Sequence, residues 1–295
     1  QHIRGKLEAA HASSISRLVL TLVPTSDGAV YYQDPDGLFW RVYLFIELAQ
    51  TFDIMEDNRQ AYEAAKAFGR FQGLLADLPH PRLHETIPNF HHTRSRFDAL
   101  VQAIDADSAE RVTSAREAID FVIQREAMVD VLQDLHAKGE LPERITHNDT
   151  KLNNVMIDDE TSEGVCVIDL DTVMPGLALY DFGDMIRTGT NTAAEDETDL
   201  SKVMVNLDTY RALARGYLES AGGFLTPKER ELLPFSGKLI SFEIGIRFLT
   251  DYLSGDVYFK THRDDHNLDR CRTQFKLVES MDAQGAAIEQ VMTSL

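Results

Sequence analysis

The pattern of hydrophobic and polar residues changes near residue 48. Between Leu18 and Ile46, three apolar runs are separated by the turn-forming segments Thr25–Gly28 and Asp34–Gly37, a pattern typical of short strands joined by tight turns. We therefore predict a small antiparallel meander there. From residue 48 onwards, apolar residues recur mainly every three or four positions, which is the period of a helix with one buried face. The pattern predicts an α+β chain with a domain boundary between residues 1–47 and residues 48–295.

Two helices are predicted in the first half of the helical part. One ends near Pro79, and its apolar stripe consists of Ala61, Ala64, Phe68, Phe71, Leu75 and Leu78. The other is long and runs from Ala115 to Leu135, where the apolar residues again step by three and four. Loops are predicted at residues 79–81 and 105–108, where proline or small polar residues interrupt the periodicity.

The second half of the helical part begins with strands. Residues 145–173 predict two short strands around a polar loop, and the chain is helical again from Leu207. The segment Thr226–Glu229 contains an N-cap threonine, a first-turn proline and a capping-box glutamate, so it predicts a helix start. We expect Pro234 to restart this helix, which then continues to Leu253.

The polar loop contains the sequence that carries chemistry. Residues His147 to Asn154 have the spacing His-x-Asp-x-x-x-x-Asn, which phosphoryl-transfer enzymes use as a catalytic loop. A hydroxyl that attacks the terminal phosphate of ATP must be oriented and must lose its proton, which suits the carboxylate of Asp149. Mg²⁺ takes oxygen ligands such as the amide of Asn154. The ammonium group of Lys151 is placed to stabilise charge on the transferred phosphoryl group.

A second motif supports this interpretation. An apolar strand ends in Asp169 and Asp171 shortly after Asn154, and a carboxylate at a strand end beside an amide is a Mg²⁺ site of kinases. The tripeptide at Asp181 also spells the metal-binding sequence of protein kinases, but it follows a turn rather than a strand. We therefore assign the metal to Asn154 and Asp169 and expect Asp181 to support the loop or cap a helix. Asp184 either braces the loop or is a surface carboxylate.

These motifs resemble the aminoglycoside phosphotransferase and choline kinase superfamily, and within it the N-acetylhexosamine 1-kinases. The resemblance rests on Thr146–Asn154, Ile168–Gly176 and Tyr180–Asp184, and it continues through Trp40–Tyr43, Leu233–Gly237 and Arg247–Leu253. It implies a protein-kinase-like, two-lobed α+β fold. The N-terminal lobe would be small and antiparallel, and the C-terminal lobe would be large and mainly helical.

The resemblance also implies an activity and a set of site residues. Such an enzyme transfers the terminal phosphate of ATP to the anomeric hydroxyl of N-acetylglucosamine or N-acetylgalactosamine, with Mg²⁺ as cofactor. Asp149 would be the base and would touch the attacking hydroxyl, with Lys151 beside it, and Asn154 and Asp169 would hold the metal. The backbone of a hinge near residues 45–48 would bind adenine. The nucleotide-binding residues would be Tyr43, Phe45 and Glu47, and the sugar-binding residues Arg247 and Tyr258.

The start of the chain departs from the superfamily pattern. Its members carry a phosphate-covering loop and an ATP-gripping lysine ahead of the strands found here, and nothing before Leu18 has those features. We therefore expect residues 1–47 to be an incomplete nucleotide-binding lobe and residues 48–295 to carry the catalytic loop and the acceptor site.

Composition excludes several classes of protein. The chain has 29 Lys and Arg residues against 48 Asp and Glu residues, so its formal net charge is −19. Nucleic acid is an unexpected partner, because phosphate neutralisation by basic residues supplies most of that affinity. No apolar run approaches the ~20 residues of a membrane span, and the first residues lack the apolar core of a signal peptide. We expect a cytoplasmic protein that binds small molecules, with no membrane contact and no obligate protein partner.

The cysteines and histidines do not suggest a further site. Cys166 and Cys271 match no disulfide or metal spacing and are expected to be buried thiols. The other histidines lack ligand spacing, and we expect most of them at surface or capping positions. They include His11, His80, His84, His91, His92, His136, His262 and His266.

Alternatives remain at the acceptor side. The acidic chain also suits a cationic acceptor, such as an aminoglycoside or a choline-like molecule. The missing lysine is compatible with a non-catalytic, sugar-binding relative of kinases. Arg247 lies four residues from both Glu243 and Asp251 on one helix face, so it is placed either to bind a ligand or to form an ion-pair ladder with them.

Overall fold

Short, paired strands form the N-terminal part of the chain in the computed structural model, which describes residues 1–79 and 81–295. The helices α1 (His2–Ala9) and α2 (Ile15–Leu18) come first, and four two-residue strands follow. They are β1 (Leu22–Val23), β2 (Tyr32–Gln33), β3 (Phe39–Trp40) and β4 (Val42–Tyr43). Two antiparallel pairs form, β2 with β3 and β1 with β4. In chain order, the β2–β3 hairpin therefore lies between the two strands of the other pair.

The predicted meander is wrong in its strand order. The first apolar run pairs with the end of the third run instead of with the second, and Leu18 lies in α2. The turn at Asp34 explains the tight β2–β3 hairpin. Its carboxylate accepts hydrogen bonds from the backbone N–H groups of Asp36 at 3.0 Å and Leu38 at 2.8 Å, and from the indole of Trp40 at 2.7 Å.

The helix predicted before Pro79 is present as α3 (Asn58–Leu75), which begins where the side chain of Asp57 accepts a hydrogen bond from the backbone N–H of Gln60. Next comes α4 (Thr93–Ala106). The loop predicted at residues 105–108 therefore begins at residue 107, two residues later than predicted. His80, in the loop predicted at residues 79–81, lies outside the described residues.

The long helix predicted over residues 115–135 is wrong, because the structure divides it into α5 (Arg116–Ile123), a 3₁₀ turn (Glu126–Met128) and α6 (Val131–Ala137). The break falls in a polar stretch. Arg94 on α4 bonds Glu126 at 2.9 Å and Asp130 at 2.9 and 2.5 Å, and these bonds hold the connection in its non-helical path.

Strands flank the polar loop as predicted. They are β6 (Arg144–Thr146) before the loop and β7 (Val155–Asp158) after it, followed by β8 (Gly164–Val167) and β9 (Met174–Gly176). β7 lies between β8 and β5 (Ala49–Gln50) in a three-stranded sheet, and β6 pairs with β9. The two sheets therefore place the start and the end of the loop in fixed positions.

The rest of the chain is helical. Its helices are α7 (Ala178–Thr190), α8 (Leu207–Ala221), α9 (Pro227–Leu253), α10 (His266–Ala283) and α11 (Gly285–Thr293). The predicted capping box is confirmed, because Thr226 and Glu229 bond each other's backbone N–H groups. The predicted restart at Pro234 is wrong. α9 is continuous through it, since burial of most residues from Leu233 to Leu253 outweighs the one hydrogen bond that proline removes.

Close helix packing fixes α7 beneath the polar loop. A Cβ atom at Gly183 of α7 would lie 2.5 Å from the carbonyl oxygen of Ser236 on α9, and one at Gly216 of α8 would lie 2.0 Å from that of Tyr62 on α3. Only glycine permits these approaches. Cys166 and Cys271 are buried free thiols, as predicted. None of the helices in the described residues combines the length and the apolar character needed to cross a bilayer.

Candidate active site

The loop between β6 and β7 places three of the predicted residues together. The Oδ2 atom of Asp149 lies 3.0 Å from the Nζ atom of Lys151 and accepts a hydrogen bond of 2.9 Å from the Nδ2 atom of Asn154. Among the described residues, nothing donates a hydrogen bond to the Oδ1 atom of Asp149. This oxygen is therefore available to take a proton from a bound hydroxyl.

Two carboxylates of α7 hold the backbone of this loop. Asp181 accepts hydrogen bonds from the backbone N–H groups of His147 at 2.8 Å and Asn148 at 2.7 Å, and Asp184 accepts one from Thr150 at 2.9 Å. Both carboxylates are buried. Burial raises the pKa of Asp181, although these N–H donors favour the ionised form. The predicted supporting contacts are thus present, and they fix the residues on both sides of Asp149.

The support continues into α3 and α8. The side-chain amide of Gln72 on α3 donates to Asp181 at 2.6 Å and accepts a hydrogen bond of 2.6 Å from the hydroxyl of Tyr217 on α8. The role of Gln72 is not predictable from the sequence, because a glutamine in an amphipathic helix has no pattern that distinguishes a buried network from a solvated face.

His147 joins the loop to the end of β8. Its Nδ1 atom accepts the backbone N–H of Asp149 at 3.3 Å, and its Nε2 atom donates to the carbonyl oxygen of Ile168 at 2.8 Å. The ring is fully buried and packs edge-on against Phe68 and Phe71. These contacts show that His147 supports the loop.

The two predicted metal ligands lie on adjacent strand ends. The backbone N–H of Ile168 donates to the carbonyl oxygen of Asn154 at 2.9 Å, which places Asp169 directly beyond this contact. Asp169 has a φ of +57°, a conformation that is uncommon for residues other than glycine and is often found at functional sites. Within residues 1–79 and 81–295, its carboxylate and the Oδ1 atom of Asn154 have no hydrogen-bonding partner. Hard oxygen ligands without other partners fit Mg²⁺.

In the described residues, this pair is not part of a larger cluster of metal-binding side chains. The described part of the chain contains no group of three or more His, Cys, Asp or Glu side chains arranged to hold a metal. Asp171 is paired with Arg41, whose pKa is raised mainly by that hydrogen bond and also by the charge of Asp169. A metal at Asn154 and Asp169 would therefore take its remaining oxygen ligands from phosphate and water.

The predicted hinge residues are mostly exposed. The guanidinium carbon of Arg41 lies 5.6 Å from the ring centre of Tyr43, and Phe45 is 85% exposed. The carbonyl oxygens of Glu47 and Leu48 accept hydrogen bonds of 3.0 and 3.1 Å from Arg17. The hinge carbonyls thus already have a donor, which no local pattern in the sequence indicates.

Arg247 is enclosed by aromatic rings. Its guanidinium lies 5.2 Å from the ring centre of Phe90 and 5.6 Å from that of Phe259. Among the described residues it has neither an ion pair nor a hydrogen bond. Tyr258, next to Phe259, is 69% exposed.

The ion-pair ladder considered for Arg247 is wrong. Glu243 bonds the Nδ1 atom of His91 at 2.8 Å and the hydroxyl of Thr93 at 2.6 Å. Asp251 accepts hydrogen bonds from three successive backbone N–H groups, those of residues 257–259. Both carboxylates are therefore committed to other partners, and Arg247 remains without one.

His91 is an exception to the expectation that most histidines lie at surface or capping positions. It is buried, and its Nε2 atom donates to the carbonyl oxygen of Asn148, immediately before Asp149, at 3.1 Å. Burial alone would lower its pKa, but the charge and hydrogen bond of Glu243 outweigh burial and raise the pKa of His91. His91 thus connects α9 to the loop. By contrast, the side chain of His92 accepts the backbone N–H of Ser95 and caps α4.

A second arginine lies near Arg247. Arg96 donates to the carbonyl oxygen of Phe90 at 2.9 Å, while its buried Nε atom has no partner. Burial and the charge of Arg247 lower the pKa of Arg96. Two guanidinium groups thus lie together without a carboxylate partner in the described part of a chain whose net charge is −19.

Several solved structures share this fold. A microcompartment-associated aminopropanol kinase is 15% identical with a TM-score of 0.55, and the match covers 97% of this chain and 81% of that one. An aminoglycoside phosphotransferase from Alicyclobacillus acidocaldarius is 14% identical with a TM-score of 0.55, covering 100% and 84%. A spectinomycin phosphotransferase, solved with ADP and spectinomycin, is 16% identical with a TM-score of 0.51, covering 96% and 82%.

These similarities confirm the predicted α+β fold with small antiparallel sheets and a large helical portion. The sequence itself matches a family profile over residues 14–229, a span that contains the loop, Asp169 and α7. The match covers well over half of the chain, and the chain therefore belongs to the phosphotransferase enzyme family.

Proposed function

We propose that this chain is an ATP- and Mg²⁺-dependent kinase that phosphorylates the anomeric hydroxyl of an N-acetylhexosamine. The observation that carries the proposal is the arrangement at Asp149, whose Oδ2 atom contacts Lys151 and Asn154 while its Oδ1 atom has no donor among the described residues. A fixed carboxylate with one open oxygen, beside an ammonium group and an amide ligand, has the parts that phosphoryl transfer requires.

The proton and the phosphoryl group move in one balanced step. Asp149 accepts the proton of the anomeric hydroxyl as that oxygen forms a bond to the γ-phosphorus. The bond between this phosphorus and the β–γ bridging oxygen breaks, and ADP leaves with the electron pair. Lys151 lies beside Asp149 and stabilises negative charge on the transferred group. The products are the sugar 1-phosphate, ADP and a proton on Asp149.

Asn154 and Asp169 would hold the metal. Bound there, Mg²⁺ would neutralise charge on the phosphates and help to align them. The nucleotide-binding residues are proposed to be Tyr43, Phe45 and Glu47. Because Arg17 already bonds the carbonyl oxygen of Glu47, adenine would have to share this oxygen, which has two lone pairs, or displace Arg17.

The electrostatics of the acceptor side favour a neutral sugar over a cation. Arg247 and Arg96 would repel an aminoglycoside or a choline-like ammonium, and the nearby Glu243 is already bonded to His91 and Thr93. Guanidinium donors suit the hydroxyl and acetamido oxygens of an amino sugar, and Phe90 and Phe259 offer apolar surface to its ring. We therefore place the sugar contacts at Arg247 and Tyr258.

The test is ³¹P NMR of the chain with Mg-ATP and N-acetylglucosamine or N-acetylgalactosamine. We expect a new sugar 1-phosphate signal that is absent from the Asp149→Asn variant and present in the matched control Asp159→Asn, which changes an exposed carboxylate of the β7–β8 turn. Phosphorylation of choline or of an aminoglycoside instead of the sugars would overturn the acceptor. Binding of sugar without any transfer would favour a non-catalytic relative.

A further inference from the structure

A large cavity begins beside the candidate base. Its volume is about 800 Å³, and its walls include Lys151 and Asn153 of the loop, the segment 187–195 and Gln274 of α10. Lys151 is the residue paired with Asp149, so a molecule whose hydroxyl meets Asp149 can extend into this space.

Gln274 is buried in the wall of this cavity and has no partner among the described residues. It is only 2% exposed, and its Oε1 atom has no hydrogen-bond donor. Over residues 1–79 and 81–295, its amide makes no hydrogen bond at all. Buried polar groups are normally paired, and an unpaired one is costly. Gln72, equally buried, uses both ends of its amide.

A second unpaired oxygen lines the same cavity. The Nδ2 atom of Asn153 donates to Asp53 at 3.2 Å, but the buried Oδ1 atom of Asn153 has no donor. Two residues of one cavity wall thus carry buried amide oxygens that lack donors among the described residues, which identifies the missing partner as a group with hydrogen-bond donors.

The charges of the walls exclude an anionic partner; the carboxylates Asp53, Glu56 and Asp57 also line the cavity, but they are exposed to solvent, which screens their charge. The cationic side chains in the lining, Lys151 and Arg187, are already paired with Asp149, Asp184 and Glu195. No cation in the described part of the lining remains to bind an anion. Amide and hydroxyl side chains, among them Asn58, Asn206 and Thr209, make up much of the remaining lining. Such groups are the usual partners of hydroxyl groups.

The size of the cavity exceeds what one sugar ring needs. Ligand cavities of about 300–1,000 Å³ hold drug-sized molecules, and this one is near the upper end of that range. We propose that the cavity is a subsite for a second, neutral sugar ring, so that the enzyme phosphorylates N-acetylhexosamine disaccharides that have a free anomeric hydroxyl. This inference rests on the proposed function and adds the size of the acceptor.

The experiment compares N-acetylglucosamine with N,N′-diacetylchitobiose as acceptors for the wild type and for Gln274→Met. We expect the disaccharide to be phosphorylated with a kcat/KM at least equal to that of the monosaccharide. In Gln274→Met, the ratio of the two KM values (disaccharide over monosaccharide) should rise about tenfold, as expected for one lost hydrogen bond to ligand. The matched control Gln290→Met, exposed on α11, should leave both KM values unchanged.

Two results would overturn the subsite. One is phosphorylation of the monosaccharide but not of the disaccharide, and the other is an unchanged KM ratio in Gln274→Met, which would mean that the cavity holds only water. If Gln274→Met does not fold, Asn153→Ser takes its place with the same expectation. If neither sugar is phosphorylated, the proposed function fails, and calorimetric titration of disaccharide into wild type and variant decides the subsite separately.

Discussion

The N-terminal segment before residue 50 and the region around the catalytic loop differ in how their candidate functional residues are held. In the first, two-residue strands present aromatic side chains to solvent, such as Phe39 at 67% and Phe45 at 85% exposure. In the second, His147 and Asp181 are fully buried, and hydrogen bonds fix the backbone on both sides of Asp149. The geometry of the candidate base therefore depends on contacts within the helical part, whereas the residues proposed to bind the nucleotide have little support from their own segment.

Among the variants that test this difference between the two regions, Asp181→Ala is expected to lose the most unfolding free energy. The substitution leaves the backbone N–H groups of His147 and Asn148 and the amide of Gln72 without an acceptor. Because each buried unpaired group costs about 1–3 kcal/mol, we expect a loss of unfolding free energy of roughly 3 kcal/mol or more, together with a lower kcat. Urea unfolding and steady-state kinetics measure both. Asp159→Ala is the control, and equal stability of the two variants would mean that Asp181 does not stabilise the loop.

The next largest difference in stability is expected between variants of the two buried glutamines, Gln72 and Gln274. Gln72→Met removes two hydrogen bonds and leaves partners unpaired, so it should cost about 1–3 kcal/mol of unfolding free energy. Gln274→Met removes no hydrogen bond to the described residues, and it should be neutral or stabilising because it replaces an unpaired buried amide. Chemical denaturation of both variants tests the difference. A larger loss for Gln274→Met than for Gln72→Met would show that its amide has a partner in the folded protein.

His91→Gln tests the link from α9 to the loop through its pH dependence. The raised pKa of His91 means that its charge stabilises the fold fully below its ordinary value of 6.5, and this contribution is lost as pH rises through the folded-state pKa. The pKa of Glu243 is lowered by the charge and hydrogen bond of His91 in spite of burial, so its contribution is lost as pH falls below its ordinary value of 4.5.

We therefore expect the stability gap between wild type and His91→Gln to be largest between pH 4.5 and 6.5, with a size of about 1–3 kcal/mol. Thermal or urea unfolding across this range measures it. His84→Gln is a histidine control in a loop. A gap that stays constant with pH would mean that the His91–Glu243 pair does not change its charge on folding.

The smallest effect is expected in the N-terminal segment. Arg41→Ala breaks an exposed ion pair with Asp171, and such pairs contribute about 0–1 kcal/mol. We expect unfolding free energy to change by less than ~1 kcal/mol, as measured by urea unfolding, with Arg116→Ala as a second exposed-pair control. A loss as large as that of Asp181→Ala would remove the distinction between the two regions.

The residues that the sequence predicted share one property, namely that their signal is local. Asp149, Lys151 and Asn154 lie within six positions, and the capping box at Thr226 spans four, so spacing alone identifies them. The helix from Asn58 was predicted because its buried face repeats within one segment.

The residues that were missed make contacts between distant segments. His91 and Glu243 are 152 positions apart, and Arg17 and Asp158 are 141 apart. No local period records such a pairing, because each residue alone fits a surface position. For the same reason, Glu243 was paired with Arg247, its neighbour on the helix, although its partner is on another element.

The imidazole of His147 has a consequence for how the chain tolerates change in length. It bonds the backbone at Asp149 and at Ile168, and the backbone contact between Ile168 and Asn154 lies at the same end of the β7–β8 hairpin. The opposite end is the exposed acidic turn at residues 159–163. Insertions there would lengthen the path from base to metal ligand along the chain without moving either group in space. The number of residues between the two motifs is therefore free to vary among related chains, while their spatial separation is not.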